Sequence, residues 1–466
     1  MEPTFVPEVA RRFAIGFVFL IHIQFAAFLI GLFTLAVSME FFWVQNKGNP
    51  HLNRLARGMG MVAAIMYSTG AVLAFAALFF LTIFWPTFFY IVFRANFWPF
   101  VLEALTFALT LLYLIPWFFT WDSMERFKWA HLALGAALVI AAYFQQALID
   151  VVASYMLTPA PSSSFLRVFF NPTAVPLDMH RIVGDISFAG FVVAGFAAFK
   201  TLRARQMEDR AFWDWAGSLC LIAGLGFLYL QPAIGVEYME EIRASSPSAF
   251  TTMMRGNLSW LFIVQVVFLS VLFLLSQIYI LIQTRKSNRP HVPILWMLLI
   301  ITVLGSLLLV QPFTIGSSQA YAWVNWVNPV GSMQPWKYIA MAGQTLAAIF
   351  AVFIYIGAVR KGMRWGLMGR GGKGAQYLLL TLAVFASFMM ALMGYIRENS
   401  RIPFIIQNNI TIDQPEEFPV LQPTPTPGGP FTLPTPETGQ IDLPVGSGEG
   451  TPTTRTESST LGESTP

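Results

Sequence analysis

Four side chains able to bind a transition metal, His22, His180, Met341 and Glu398, lie within or at the ends of long apolar stretches, near one side of the membrane those stretches imply. Metal-binding groups gathered at one depth of a helical bundle point to haem and electron transfer rather than to a solute channel. His22, in "FLIHIQF", falls about a third of the way into the first stretch, and an intramembrane histidine needs a partner even in a structural role. His180 opens the fifth stretch in "VPLDMHRIVGD", and Met341 lies just inside the ninth in "MQPWKYIAMAGQ". Both start from the same side, so they can approach one iron from opposite faces. Histidine with methionine is a low-spin pair that raises haem potential. Taken alone, Met341 would be core packing, since the chain holds 20 methionines. Glu398, in "MGYIRENSRIPF", is flanked by Arg397 and Arg401. These arginines offset its desolvation or pair with haem propionates, and an interfacial salt bridge is the alternative.

Further carboxylates approach the same face: Glu103 early in the third stretch, Asp185 five residues beyond His180, and Asp150 near the end of the fourth. At such depths they are costly unless paired, so proton delivery or cofactor support is the default expectation. Asp150 is equally compatible with an interfacial position. His131 follows Lys128 on the opposite side, where a surface or capping role is expected. His51 and His291 belong to polar loops and receive no redox role.

These groups need a membrane bundle to position them. Of the 466 residues, 56% are hydrophobic and 11% charged, whereas soluble globular chains carry about 25% charge. About ten spans are predicted, near 14–38, 58–82, 97–119, 129–154, 178–199, 214–232, 258–282, 293–313, 336–357 and 374–395. About twenty residues suffice to cross the hydrocarbon layer. The fold class is therefore all-α, a polytopic membrane bundle. The loops after odd-numbered spans are the basic ones (Lys47, Arg54, Arg57; Arg126, Lys128; Lys200, Arg203, Arg205; Arg285, Lys286, Arg289; Arg360, Lys361, Arg364). Positive-inside bias makes them cytoplasmic and puts both termini outside. The net charge of +4 needs no nucleic-acid partner. Arg11 and Arg12 precede a run too long, and too poor in small residues for cleavage, to be a signal peptide, so it is expected to be the first span. The single cysteine, Cys220, excludes internal disulfides, a CxxC zinc site and CxxCH haem attachment. Residues 1–405 form the expected bundle. Residues 406–466, with repeats such as "PTPTPGG", form an expected disordered external tail. Aromatics in "FFWVQ", "IFWPTFFYIVF" and "AYAWVNWVNP" fit interfacial belts.

Across about residues 10–405 the order and context of these groups resemble subunit I of the cytochrome bd terminal oxidases. His22 in "RFAIGFVFLIHIQF" is similar to the family's first-helix histidine, a ligand of a high-spin haem. "VFFNPTAVPLDMHRIVGDISFAGFVVAG" resembles the segment whose histidine, here His180, binds the low-spin haem, with Met341 as its partner. "RENSRIPF" resembles the motif "TEFGRQPW", which sets Glu398 on a glutamate ligand of a second high-spin haem, Arg401 on its arginine and Pro403 on its proline. Glu103 in "FWPFVLEALTFAL" resembles a third-helix glutamate. The second glutamate of that helix falls at about Thr110, and the external quinol loop shrinks to "QPAIGVEYMEEIRASSPSAFTTMMRGN".

The resemblance implies a haem-containing respiratory subunit passing electrons from quinol or an external cytochrome c to O₂. Its cofactors would be haem b, one low-spin and one or two high-spin, with one of these open to being haem d. Glu103, His22 and Glu398 are the expected catalytic residues. Lys337, Arg397 and Arg401, together with Arg181, are expected propionate partners. The expected partners are a subunit II-type membrane chain and the lipid bilayer, in the inner (plasma) membrane. Glu237, Glu240 and Glu241 offer an acidic docking run for a basic cytochrome, although a solvated charge run is as good a reading. The alternatives are a membrane haem-b conduit without oxygen reduction, a redox-inactive structural subunit and a transporter. No internal repeat supports the last.

Overall fold

The computed structural model describes residues 8–46, 49–159, 165–256, 258–286, 291–310, 335–362 and 372–411. In chain order these form α1 (Glu8–Gln45), α2 (Pro50–Phe84), α3 (Pro86–Ala95), α4 (Phe97–Phe119), α5 (Lys128–Leu157), α6 (Phe165–Phe169) and α7 (Ala174–Arg203). There follow α8 (Met207–Leu228), α9 (Gln231–Ser245), α10 (Pro247–Arg255), α11 (Trp260–Lys286), α12 (Val292–Val310), α13 (Pro335–Gly362) and α14 (Lys373–Asn399). A small antiparallel hairpin, β1 (Phe404–Ile406) and β2 (Ile410–Thr411), ends the described chain. Lys47, Arg289, Arg364, the aromatic stretch at 320–329 and the tail from 412 lie outside the described residues.

Among the described residues ten helices are long and apolar enough to cross a membrane, in agreement with the predicted all-α bundle. Their ends differ from prediction where proline intervenes. Pro86 opens α3, a short helix between the second and third spans. The sixth span ends at Leu228, because the chain turns there and restarts with Pro232 in the first turn of α9. Proline costs little at that position, since its missing N–H would have had no intrahelical partner. The segment between the sixth and seventh spans, expected as a short loop, is thus helical, forming α9 and α10.

The most buried of the spans contains α7, which packs against α1, α5, α8, α9 and α14. Its small residues make this possible. A Cβ on Gly190 would lie 2.6 Å from Gly224 Cα, one on Gly195 2.5 Å from Ala383 Cβ, and one on Gly31 of α1 2.1 Å from the Asp185 carbonyl oxygen. Without water to drive helices together inside lipid, close van der Waals approach between small residues does much of the work. Ser187 of α7 adds a hydrogen bond to the Gly224 carbonyl at 2.9 Å.

Contrary to its expected surface or capping role, His131 is buried, at 3% exposure. Its Nδ1 meets Glu40 Oε1 at 2.6 Å, and its Nε2 donates to the Trp117 carbonyl at 2.8 Å. Trp117 Nε1 donates to Glu40 Oε2 at 2.9 Å. The physical reason is Glu40, a carboxylate in the otherwise apolar "LAVSMEFFWV", which needs partners inside the bundle. Gly135, one turn beyond His131, leaves room for the Trp117 indole. The network ties α1, α4 and α5 at the end away from His22.

His131→Leu strands the Glu40 carboxylate and is expected to destabilise the bundle by about 3–5 kcal/mol. Thermal unfolding of the detergent-solubilised protein checks this, and an unchanged Tm would show the network to be dispensable. Gly190→Ala, which crowds α7 against α8, is expected to cost about 1–3 kcal/mol in the same assay.

Candidate functional site

Because the spans alternate in direction, the N-terminal ends of α1, α4, α7, α11 and α13 share one end of the bundle with the C-terminal ends of α2, α5, α8, α12 and α14. A cavity of about 1480 Å³ opens there. Small-molecule sites occupy about 300–1,000 Å³, so this one has space for a group larger than a typical ligand. His22, Glu103, His180, Lys337, Met341 and Glu398 all line it, as do Arg397 and Arg401. The fold therefore brings the four nominated ligand side chains, Glu103, Lys337 and the two arginines to one cavity wall, whereas Pro403 and the acidic run Glu237, Glu240 and Glu241 lie off it.

His180 lies about two turns into α7, with its Nδ1 buried and without a hydrogen-bond partner. The Tyr238 ring is tilted against the imidazole at 6.1 Å between centroids. His22 faces the Gly70 backbone of α2 and likewise has a buried, partnerless Nδ1. Met341 is half-buried in the second turn of α13. Lys337, one turn before it, is buried at 4% exposure.

Glu398 is held by both arginines. Arg397 Nη1 donates to its Oε1 at 3.1 Å, and Arg401 Nη2 to its Oε2. The expected salt bridge is present, and it does not exclude ligation, because an ionised carboxylate has about four acceptor positions. Arg397 Nε also donates to the Tyr238 hydroxyl at 3.1 Å. Arg397 Nη2 and Arg401 Nε and Nη1 are buried donors without partners. Such guanidinium nitrogens at a cavity wall suit carboxylate groups of a ligand.

Glu103 Oε1 accepts from Gln145 Nε2 at 2.9 Å, and Gln145 Oε1 accepts from Thr110 at 3.4 Å. Thr110 therefore connects to Glu103 through an amide. Asp150, 1% exposed, pairs with Arg181. Asp178 and Asp185 lie near the same guanidinium. Arg181 therefore answers to three carboxylates, whereas Arg401, paired with Glu398, keeps Nε and Nη1 unbonded. Asp178, hydrogen-bonded by Gln146 at 3.5 Å, was not singled out in the sequence, although its place between two apolar runs in "VPLDMHR" was the available signal. In the acidic run Glu240 is engaged by Arg243 and by the Tyr338 hydroxyl, and Glu241 by Ser245. Glu237 remains exposed.

The residues fit a haem. Its apolar macrocycle matches the cavity wall, its propionates match the partnerless guanidinium nitrogens, and its iron asks for axial imidazole, thioether or carboxylate donors. Among the described residues no group of three or more His, Cys, Asp or Glu is arranged to hold a bare metal ion.

Fold and site together define a multi-pass membrane protein with a large, mostly apolar cavity at one end of its bundle. The family model described as cytochrome bd terminal oxidase subunit I matches residues 10–417, and the chain belongs to that family. It is an electron-transfer subunit of oxidoreductase type, in a family whose cofactors are haems. Among solved structures, the bd oxidase from Geobacillus thermodenitrificans is similar at 16% identity, over 84% of this chain and 97% of that one, with a TM-score of 0.49. No curated protein sequence matches the chain.

Replacing Arg181 with Met leaves Asp150 buried without its cation. The expected outcome is a loss of about 3–5 kcal/mol of stability, seen as a lowered Tm, with Arg181→Lys recovering part of it.

Proposed function

We propose that this chain is the haem-bearing subunit of a bd-type oxidase, taking electrons from quinol or an external cytochrome c and delivering them to O₂. The observation that carries the proposal is the gathering of two imidazoles, a thioether and a carboxylate around one cavity in a chain of this family. His180 and Met341 would hold a low-spin haem b between them. His22 and Glu398 would hold one or two high-spin haems, one of them open to being haem d. Bound there, haem supplies electron relay and an iron position open to O₂.

The protein side of the chemistry follows from the contacts. Arg397 and Arg401 bind ligand carboxylates through their remaining N–H groups while neutralising Glu398. Glu103 holds and passes a proton at the carboxyl oxygen not engaged by Gln145. The aromatic and aliphatic wall formed by Phe33, Phe107, Phe188 and Met389 excludes bulk water. A subunit II-type chain and lipid cover the exposed apolar faces, of which α2 has many, with Ile65, Val72, Phe75 and Phe79 turned outward. The basic loops are cytoplasmic and both termini external, in a plasma (inner) membrane; the expected external tail starts after the hairpin that ends at Thr411 rather than at residue 406.

Optical spectra of the purified complex, reduced and then exposed to carbon monoxide, test the proposal. A low-spin b-type signal together with a CO-sensitive high-spin signal is expected. His180→Ala should remove the first and His22→Ala the second. Only six-coordinate, CO-insensitive haem would overturn the oxygen-reducing function and leave an electron conduit. Glu103→Gln should lower oxygen consumption by about 10²-fold or more with both spectra retained, the size expected for loss of a proton-transfer group.

A further inference from the structure

Metal-bound histidines ordinarily donate their second ring N–H to a carboxylate, carbonyl or water, which fixes the ring and raises its basicity. His180 departs from that arrangement, because its Nδ1 is buried with no hydrogen-bond partner. What meets the residue instead is one face of α9. Gln231 Nε2 donates to the His180 carbonyl at 2.9 Å. One turn on, a Cβ on Gly235 would lie 3.3 Å from His180 Cε1 and 3.6 Å from Nδ1. Tyr238, a further turn along, sets its ring 6.1 Å from the imidazole and accepts a hydrogen bond from Arg397.

The spacing i, i+4, i+7 puts all three on one side of the helix. Gly184 makes the first contact possible, since a Cβ there would lie 2.8 Å from Gln231 Nε2. Tyr238 is itself anchored in a small apolar cluster with Leu157, Leu177, Ile242 and Ala249, so the face is rigid.

We infer that the α9 face of Gln231, Gly235 and Tyr238 is a positioning surface for His180, orienting the imidazole by packing and leaving its Nδ1–H without an acceptor. The inference rests on the reading of His180 as an axial haem ligand. A ligand imidazole lacking that acceptor is a weaker donor, which favours the reduced iron and a high potential. Tyr238 adds a second influence by restraining Arg397 beside the same group.

The test uses the purified complex with its full chain, comparing electron paramagnetic resonance of the oxidised low-spin haem and its midpoint potential. Gly235→Ser supplies a hydroxyl oxygen near Nδ1 and should lower the potential by about 59 mV, tenfold in a one-electron equilibrium. Gly235→Ala crowds the ring without supplying an acceptor and should change the g-values with no such drop. Tyr238→Phe keeps the ring but leaves the Arg397 Nε–H unpaired, and should raise the potential while the carbon monoxide spectrum stays unchanged. Wild-type g-values and potentials in all three variants would overturn the inference. If the Gly235 variants fail to assemble, Tyr238→Phe decides alone, and an unshifted potential there overturns the inference. His180→Ala separates the two levels: survival of the low-spin signal removes the ligand assignment itself, whereas its loss beside unshifted Gly235 and Tyr238 variants removes only the role of α9.

Discussion

Inside a lipid-embedded bundle a charged or strongly polar side chain must find its partner in the protein, and most of this architecture follows from that requirement. Glu40 is answered by His131 and Trp117, Asp150 by Arg181, Glu103 by Gln145 and Asp214 by Gln376. Each contact joins different helices, so the polar residues set which helices are neighbours and in what register. Against this background the partnerless Nδ1 atoms of His22 and His180 stand out. Both belong to residues on the wall of the same cavity.

The second determinant is steric. Glycines at the crossings of α7 with α1, α8 and α14 let backbones approach closer than any side chain would permit. That places α7 at the centre of the bundle, and α7 carries His180, Arg181 and Asp185. A site residue on a central, tightly packed helix has little freedom to move, which suits a ligand that must hold an iron at fixed geometry. α13 and α14 contribute Met341 and the Glu398 region to the cavity wall from separate parts of the sequence.

Membership of the bd oxidase subunit I family coexists with local rearrangement. Thr110 occupies the position expected for a second acid, and its contact with Glu103 passes through Gln145. An amide relays protons poorly, so the proposed proton role of Glu103 rests on its cavity side. The short segment after α8 is not a loose remnant of a longer loop. It folds as α9 and α10 and is tied to the rest by Tyr238 with Arg397, Glu240 with Tyr338 and Ser248 with Gln407. Most of its acidic groups are spent on these and neighbouring contacts, which reduces the charge available for docking a basic protein.

Hydropathy alone determined the ten spans, because twenty apolar residues in a row have few alternatives to a membrane helix. The alternation of successive spans gave each its direction relative to its neighbours, so the common end of the bundle shared by His22, Glu103, His180, Met341 and Glu398 was legible before any packing was known. Tertiary structure decided which polar groups meet. Arg181 and Arg401 look alike in sequence, yet one is taken by Asp150 and the other keeps free donors at the cavity. His131 looks like a surface residue beside Lys128, yet it is enclosed because Glu40, ninety-one positions earlier, needs it. The α9 face over His180 was equally hidden, since Gln231, Gly235 and Tyr238 acquire meaning only when that helix lies across α7. Local pattern fixes what a segment must do about water and lipid, whereas partnerships depend on distances between segments that only the packed bundle defines.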